Sequence, residues 1–284
     1  METALMKERP FPVSKVRVGD DLRDSIRQAV SLLGGFEKII SNGDTVTIKP
    51  NLNTADPYPA SSDPAFIEAL GMEILEAGAE KIRIIDGSML RLSTREVAAK
   101  IGLDTVAERL GAELVFVEEH PWKRVTLERG KTLKSVEIGG PISESDKLIS
   151  APCIKTHFLA KFTGSMKLFV GWMRIRDRVR MHARKLEEKA VDLASYFSPD
   201  LIVMDARKVF VTGGPASGQI EEPNLIMASG DMVAIDVEGV RLLQSYNAKN
   251  KLNCNVWELP QIRHAVKIGM GAMSDDEIQV IERL

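Results

Sequence analysis

Between Lys155 and His182 the sequence reads KTHFLAKFTGSMKLFVGWMRIRDRVRMH, and this stretch concentrates groups that could do chemistry. His157 offers an imidazole able to exchange a proton near neutral pH. Lys155 and Lys167 offer ammonium groups that hold an anion or, once desolvated, act as a nucleophile or base. Thr163, Gly164 and Ser165 form a small polar turn whose backbone N–H groups could approach an anion. His182 closes the stretch and could assist. The alternative for His157 is a hydrogen-bonded turn residue, and for Lys167 a solvated helix residue. No HExxH, GxSxG or P-loop pattern is present.

These residues need a scaffold that places them together. An apolar run, Lys147–Pro152, leads directly into them, and ligands of α/β proteins bind just beyond the carboxyl ends of strands. Other apolar runs end in polar residues in the same way. Lys49, Asn51 and Asn53 follow or close Thr45–Lys49, Asp86 closes Ile82–Asp86, and Asp205 closes Leu201–Asp205. In a parallel sheet all these ends share one edge. Either carboxylate could instead cap a turn or helix, and Lys49 could be a structural ion pair. The loop after Asp205 carries Gly213 and Gly214, which either admit a ligand close to the backbone or make a tight connection.

The rest of the chain reads as alternating elements. Residues 1–19 look like a polar lead with Pro10 and Pro12. Leu22, Ile26, Val30 and Leu33 share one helix face, Asp63-Pro64 opens a helix, and residues 94–111 are helical. Leu114–Glu118 and Leu225–Ser229 are strands, Val125–Leu127 and Ser135–Ile138 a hairpin or strand pair. Helical patterns follow at Ala183–Phe197, from Asp231, at Val256–Ile268 and at Ser274–Leu284. Asp231 reads as an N-cap, and Asp236, inside an apolar helix, requires a partner if buried. The expected architecture is α/β, a mainly parallel sheet flanked by helices, in one unit or in two loosely divided lobes. The expected organisation is a lead and helix over 1–40, an α/β domain over 41–250, and C-terminal helices over 251–284 packed on it.

Composition sets limits on function. The 284 residues are 44% hydrophobic and 27% charged, with a formal net charge of -2, so nothing global points to nucleic acid or an anionic membrane. The basic run Arg174–Lys185 is a solvated surface, a lid over an anionic substrate, or a polyanion strip. Without interleaved aromatics it gives little support for single-stranded nucleic acid. Two cysteines far apart, with no CxxC pair, argue against a cysteine-held iron–sulfur cluster and fit a reduced, cytoplasmic setting. No run has the length of a membrane span. A homo-oligomer stays open.

Several blocks occur in an order that resembles a known family: IKPNLN, Ser62-Asp63-Pro64, ILEAGAEKIRIIDGS, APCIKTHFLAKFTGSMKLFVG, GGPASG and ASGDMVAID. Together they resemble the uncharacterised domain of unknown function 362, from about Val46 to Leu243. Leu168 stands where that family often has Asn. The ferredoxin-like cysteines of many relatives are absent, so electron transfer is not implied. Over a shorter span, His157, Thr163-Gly164-Ser165, Lys167 and His182 resemble the lactate racemase family, which uses a nickel-pincer cofactor. That resemblance implies Lys167 as the cofactor attachment or its relic, with His157 and His182 handling protons or contacting metal. The turn after Ile82–Asp86, GSMLRLS, lacks a histidine found in that family.

The function expected from this is an enzyme acting on a small anionic metabolite by His/Lys acid–base chemistry, isomerase- or racemase-like, with a covalent or metal cofactor open. Here Lys155 and Lys167 hold the anion, His157 is the acid/base, and Asp86 and Asp205 orient them. The alternative is a non-catalytic metabolite- or partner-binding protein on the same fold.

Overall fold

The protein is described from a computed structural model that covers residues 7–284. Its strands are runs of apolar and β-branched residues: β1 (Phe11–Arg17), β2 (Thr45–Lys49), β3 (Lys81–Asp86), β4 (Glu113–Phe116), β5 (Trp122–Thr126), β6 (Ser135–Gly139), β7 (Lys147–Ser150), β8 (Lys155–His157), β9 (Lys161–Thr163), β10 (Leu201–Ala206), β11 (Val209–Phe210), β12 (Ile220–Glu221), β13 (Leu225–Ser229) and β14 (Ile278–Arg283). The helices are α1 (Leu22–Ser31), α2 (Pro64–Glu76), α3 (Thr94–Ile101), α4 (Leu103–Leu110), α5 (Ser165–Leu168), α6 (Ile175–Ala183), α7 (Leu186–Ala194), α8 (Met232–Gln244) and α9 (Pro260–Lys267).

Eight strands form one sheet in the order β14-β1-β13-β10-β7-β2-β3-β4. Only β13 runs against its neighbours in this sheet; the other pairings are parallel. The ends of β2, β3, β7 and β10 therefore emerge at one edge. Side chains alternate across the sheet. Ile82, Ile84, Val203 and Ile226 pack under α1–α4, while Ile85, Ile202, Met204 and Met227 pack with α7, α8 and α9 on the other face. Burial on both faces is why these strands are nearly continuous apolar runs rather than alternating ones.

Two terminal segments differ from their sequence patterns. Part of the expected polar lead is β1, an inner strand in which Phe11, Val13 and Val16 are buried; Pro12 and Lys15 within it, and Pro10 just before it, mask that alternation. Residues 1–6 of the lead lie outside the described residues. The expected C-terminal helix from Ser274 is a single 3-10 turn over Asp275–Glu277 followed by β14, parallel to β1. β-Branched Ile278, Val280 and Ile281 favour the extended backbone that the open edge of β1 accepts. The helical region at 94–111 is two helices, broken where Gly102 adopts φ of 85°. The residues after β7 leave the sheet at Pro152 and return as the short hairpin β8–β9.

Candidate functional site

A cavity of about 330 Å³ opens at the sheet edge where β2, β3 and β7 end. It brings together Lys49, Asn51, Asn53, Asp86, Lys155, His157, Thr163, Lys167 and His182 from the residues expected to do chemistry. Four cationic side chains, with Arg178 the fourth beside the three lysines, face one carboxylate.

At its base, Lys49 and Asp86 form an ion pair of 2.7 Å, each side chain 1% exposed. The Asp86 carboxylate also accepts the backbone N–H groups of Leu52 and Gly87. Burial pulls the Lys49 ammonium down from its ordinary range, opposed by Asp86. A side chain on Gly171 would enter this pair, its Cβ 2.3 Å from the Asp86 carboxylate, so glycine is required there by close approach. Lys155, fully buried, donates to the carbonyls of Pro59 and Ala60. It thereby clamps the polar loop after β2 to β8, and burial lowers it to about 8.

The two histidines have opposite hydrogen-bond arrangements. His157 Nδ1 accepts the N–H groups of Leu159 and Ala160 at 3.1 and 3.2 Å. That nitrogen carries a lone pair, which leaves the proton on Nε2. Burial, then the charges of Lys167, His182 and Lys155, push His157 down to about 2. It is a neutral N–H donor. His182 Nδ1 lies 2.7 Å from the carbonyl of Arg178, which can only accept, so the lone pair of His182 is on Nε2. His182 stands at the exposed mouth, and partial burial lowers its pKa.

Lys167, on α5, has no hydrogen-bond or ion-pair partner among the described residues. Burial first, then the charges of Lys155 and Arg178, lower it to about 8. Two other lining groups lack partners among the described residues, Thr163 Oγ1 and Asn53 Nδ2. With the Nε2 atoms of His157 and His182, these groups remain open to a ligand.

The Thr163-Gly164-Ser165 turn does present backbone N–H groups to an anion, but the anion belongs to the protein. Asp236 on α8 accepts Ser165 N–H at 2.6 Å and Met166 N–H at 3.0 Å. A Cβ on Gly164 would lie 2.4 Å from that carboxylate. Burial raises Asp236 to about 7 against the two donors that lower it. Gly164 and Ser165 therefore anchor α5 and, through it, Lys167.

Besides Gly164 and Ser165, three expected residues do not line the cavity, Asp205, Gly213 and Gly214. Asp205 accepts the Tyr58 hydroxyl at 2.7 Å and is chelated by Arg207, which also reaches Asp63; both its oxygens are committed outside the cavity wall. Gly213 and Gly214 have φ of 67° and 66°: a Cβ on Gly213 would meet the Ser217 carbonyl of its own loop at 2.7 Å, and one on Gly214 the Thr156 carbonyl of β8 at 1.8 Å. Their successors Pro215 and Ala216 do line the cavity.

Arg178 was not separable in sequence from its basic neighbours. The run folds as α6, where Arg174 and Arg176 bind Glu137 at the surface. Arg178 turns inward, 6% exposed, and donates to the carbonyls of Met173, Gly87, Ser88 and Gly171. It fastens α6 to the end of β3 and adds positive potential beside Lys167. The helical i, i+4 spacing to His182 is the sequence signal that pairs them.

Among the described residues, no cluster of three or more His, Cys, Asp or Glu side chains could hold a metal ion, and no helix is long and apolar enough to cross a membrane.

The chain is similar to several known proteins. The chain is 25% identical over 228 residues to a thylakoid-associated protein of Synechocystis sp., covering 78% of this chain and 69% of that one. Its fold is similar to the lactate racemase apoprotein of Thermoanaerobacterium thermosaccharolyticum, with a TM-score of 0.50 at 16% identity, over 78% of this chain. The chain spans 55% of that racemase's length. A protein of Thermotoga maritima matches with a TM-score of 0.45 at 12% identity, over 78% of this chain and 57% of its own. The model of the domain of unknown function 362 matches residues 46–241. The chain belongs to that family.

Proposed function

We propose that the cavity is the active site of an enzyme that moves a proton on a small anionic metabolite, an isomerase-type reaction. The observation that carries this reading is the opposed tautomers of His157 and His182 beside an unpartnered Lys167. Proton transfer on an anion needs a positioned acceptor, a donor where charge develops, and a cation to hold the substrate. His182 Nε2 is the acceptor. His157 Nε2–H is the donor, stabilising charge on a substrate oxygen without becoming charged itself, a role that a neutral imidazole fills well. Lys167, with Thr163 Oγ1 and Asn53 Nδ2, holds the oxyanion.

The fold likeness to the lactate racemase apoprotein supports the same reaction class and raises a lysine-borne nickel-pincer group. The residues present fit such a group: Lys167 is a free amine of lowered pKa, and His182 keeps an Nε2 lone pair with Nδ1 tied to a carbonyl, as metal-binding histidines do. When bound, the group would supply a metal centre for breaking a substrate C–H bond. The turn after β3 presents Gly87, Ser88 and Met89 and no histidine, so His157 and His182 remain the two imidazoles that line the cavity.

The test is hydrogen–deuterium exchange at C2 of a panel of 2-hydroxy carboxylates, followed by NMR in D2O, with protein purified from its own host. The reading predicts exchange that falls by about 10²–10⁴-fold in His157→Ala while anion affinity is retained. Anion binding without exchange on any member of the panel would instead make this a binding protein.

A further inference from the structure

Resting on the anion-site reading, we infer that the ligand is a single-chain amphiphile, an oxyanion head carrying an apolar tail that leaves along the cavity rim. The polar groups of the head site are recessed: Thr163 Oγ1 and Asn53 Nδ2 are buried without partners among the described residues, and the fully buried Lys155 adds positive charge beside Lys167. An anion reaching them must leave bulk water and enter. Much of the remaining wall is apolar, with Leu52, Leu90, Leu168 and Val170 lining the cavity.

The rim continues this apolar surface into solvent. Met89, Phe158 and Leu159 line the same cavity and are 45%, 56% and 47% exposed. On α6, Ile175 and Val179, 47% and 52% exposed, share a stripe with Arg178 and His182, which line the cavity. Exposed apolar side chains gathered at a cavity mark a binding surface, and Met89, Phe158 and Leu159 line a cationic one. A two- or three-carbon acid would engage the head site and leave the rim in water. A cavity of about 330 Å³ is within the range that encloses larger ligands. Positive charge inside and apolar surface outside together fit an anionic amphiphile taken up as a monomer, because a bilayer headgroup held at the surface would not reach the buried Thr163 Oγ1 and Asn53 Nδ2.

The experiment is a calorimetric titration of the full chain with butyrate, hexanoate and octanoate, and with the matching alkyl phosphates, all below their micelle-forming concentrations. The expected result is an affinity that rises about two- to fourfold per added methylene in at least one series; the tighter series identifies the head. Replacing Met89 and Leu159 together by Ser, at exposed positions, should flatten the chain-length dependence and leave butyrate affinity unchanged. Equal affinity along both series would overturn the inference and leave the anion site standing. Binding by no anion of either series would overturn both. Binding only to anionic vesicles, and not to monomeric octanoate, would overturn it in favour of a membrane-docking rim.

Discussion

The Asp236 carboxylate binds the backbone of Ser165, the first residue of the four-residue helix that carries Lys167. One residue of α8 thus fixes the helix that carries the site lysine. An isolated helix of that length does not hold itself, so its position rests on this contact and its packing. Asp236→Ala should leave two buried N–H groups unpaired and cost about 2–4 kcal/mol. Denaturant unfolding measures the loss, and amide exchange should show faster opening at Ser165 and Met166 than in the strands. Unchanged protection at those two amides would remove Asp236 from this role.

Lys167 is held at an energetic cost that the fold does not recover. Its ammonium is lowered from 10.5 to about 8 with no partner. For a lysine lowered on folding, the unfolded chain binds more protons between those values, so stability rises with pH through that window. Below pH 8 the charged native form carries the full penalty. Lys167→Met should therefore stabilise the protein at pH 7, by about 1–2 kcal/mol after allowing for its partial exposure. The gain should shrink as the pH rises from 8 to 10.5. Thermal melts of both proteins across that range check the sign; a constant difference would contradict it.

Lys49 and Asp86 behave as a unit, both buried at 2.7 Å. Removing one member strands a buried charge, and removing both does not. Lys49→Met and Asp86→Leu should each cost about 3–5 kcal/mol, with the double variant less destabilised than their sum. Additive losses in a double-mutant cycle would show that the pair is not coupled.

The strand ends were legible because the sheet is buried on both faces, so apolar runs such as LIVM and LIMAS stand out and each stops at a polar residue. That alone placed Lys49, Asp86, Lys155 and His157 at one edge. What the sequence does not carry is which polar group answers which. The turn at Gly164 has the composition of an anion site, and its anion is Asp236, 71 residues away from Ser165. Asp205 resembles Asp86 in sequence, yet Tyr58 and Arg207 draw it out of the site. Arg178 is one of several arginines until helix α6 turns it inward. The Ser-Asp-Asp before β14 mimics a helix cap, and the open edge of β1 that recruits the strand is a tertiary fact.

The account depends most on the protonation of two imidazoles. Long-range ¹H–¹⁵N NMR of the histidine rings, recorded from pH 8 downward, observes it directly. The account predicts His157 as the Nε2–H tautomer, neutral through pH 5, and His182 as the Nδ1–H tautomer with a pKa below the ordinary histidine value. A His157 that titrates near 6.5, or that carries its proton on Nδ1, would contradict the donor–acceptor pair on which the proposed chemistry rests.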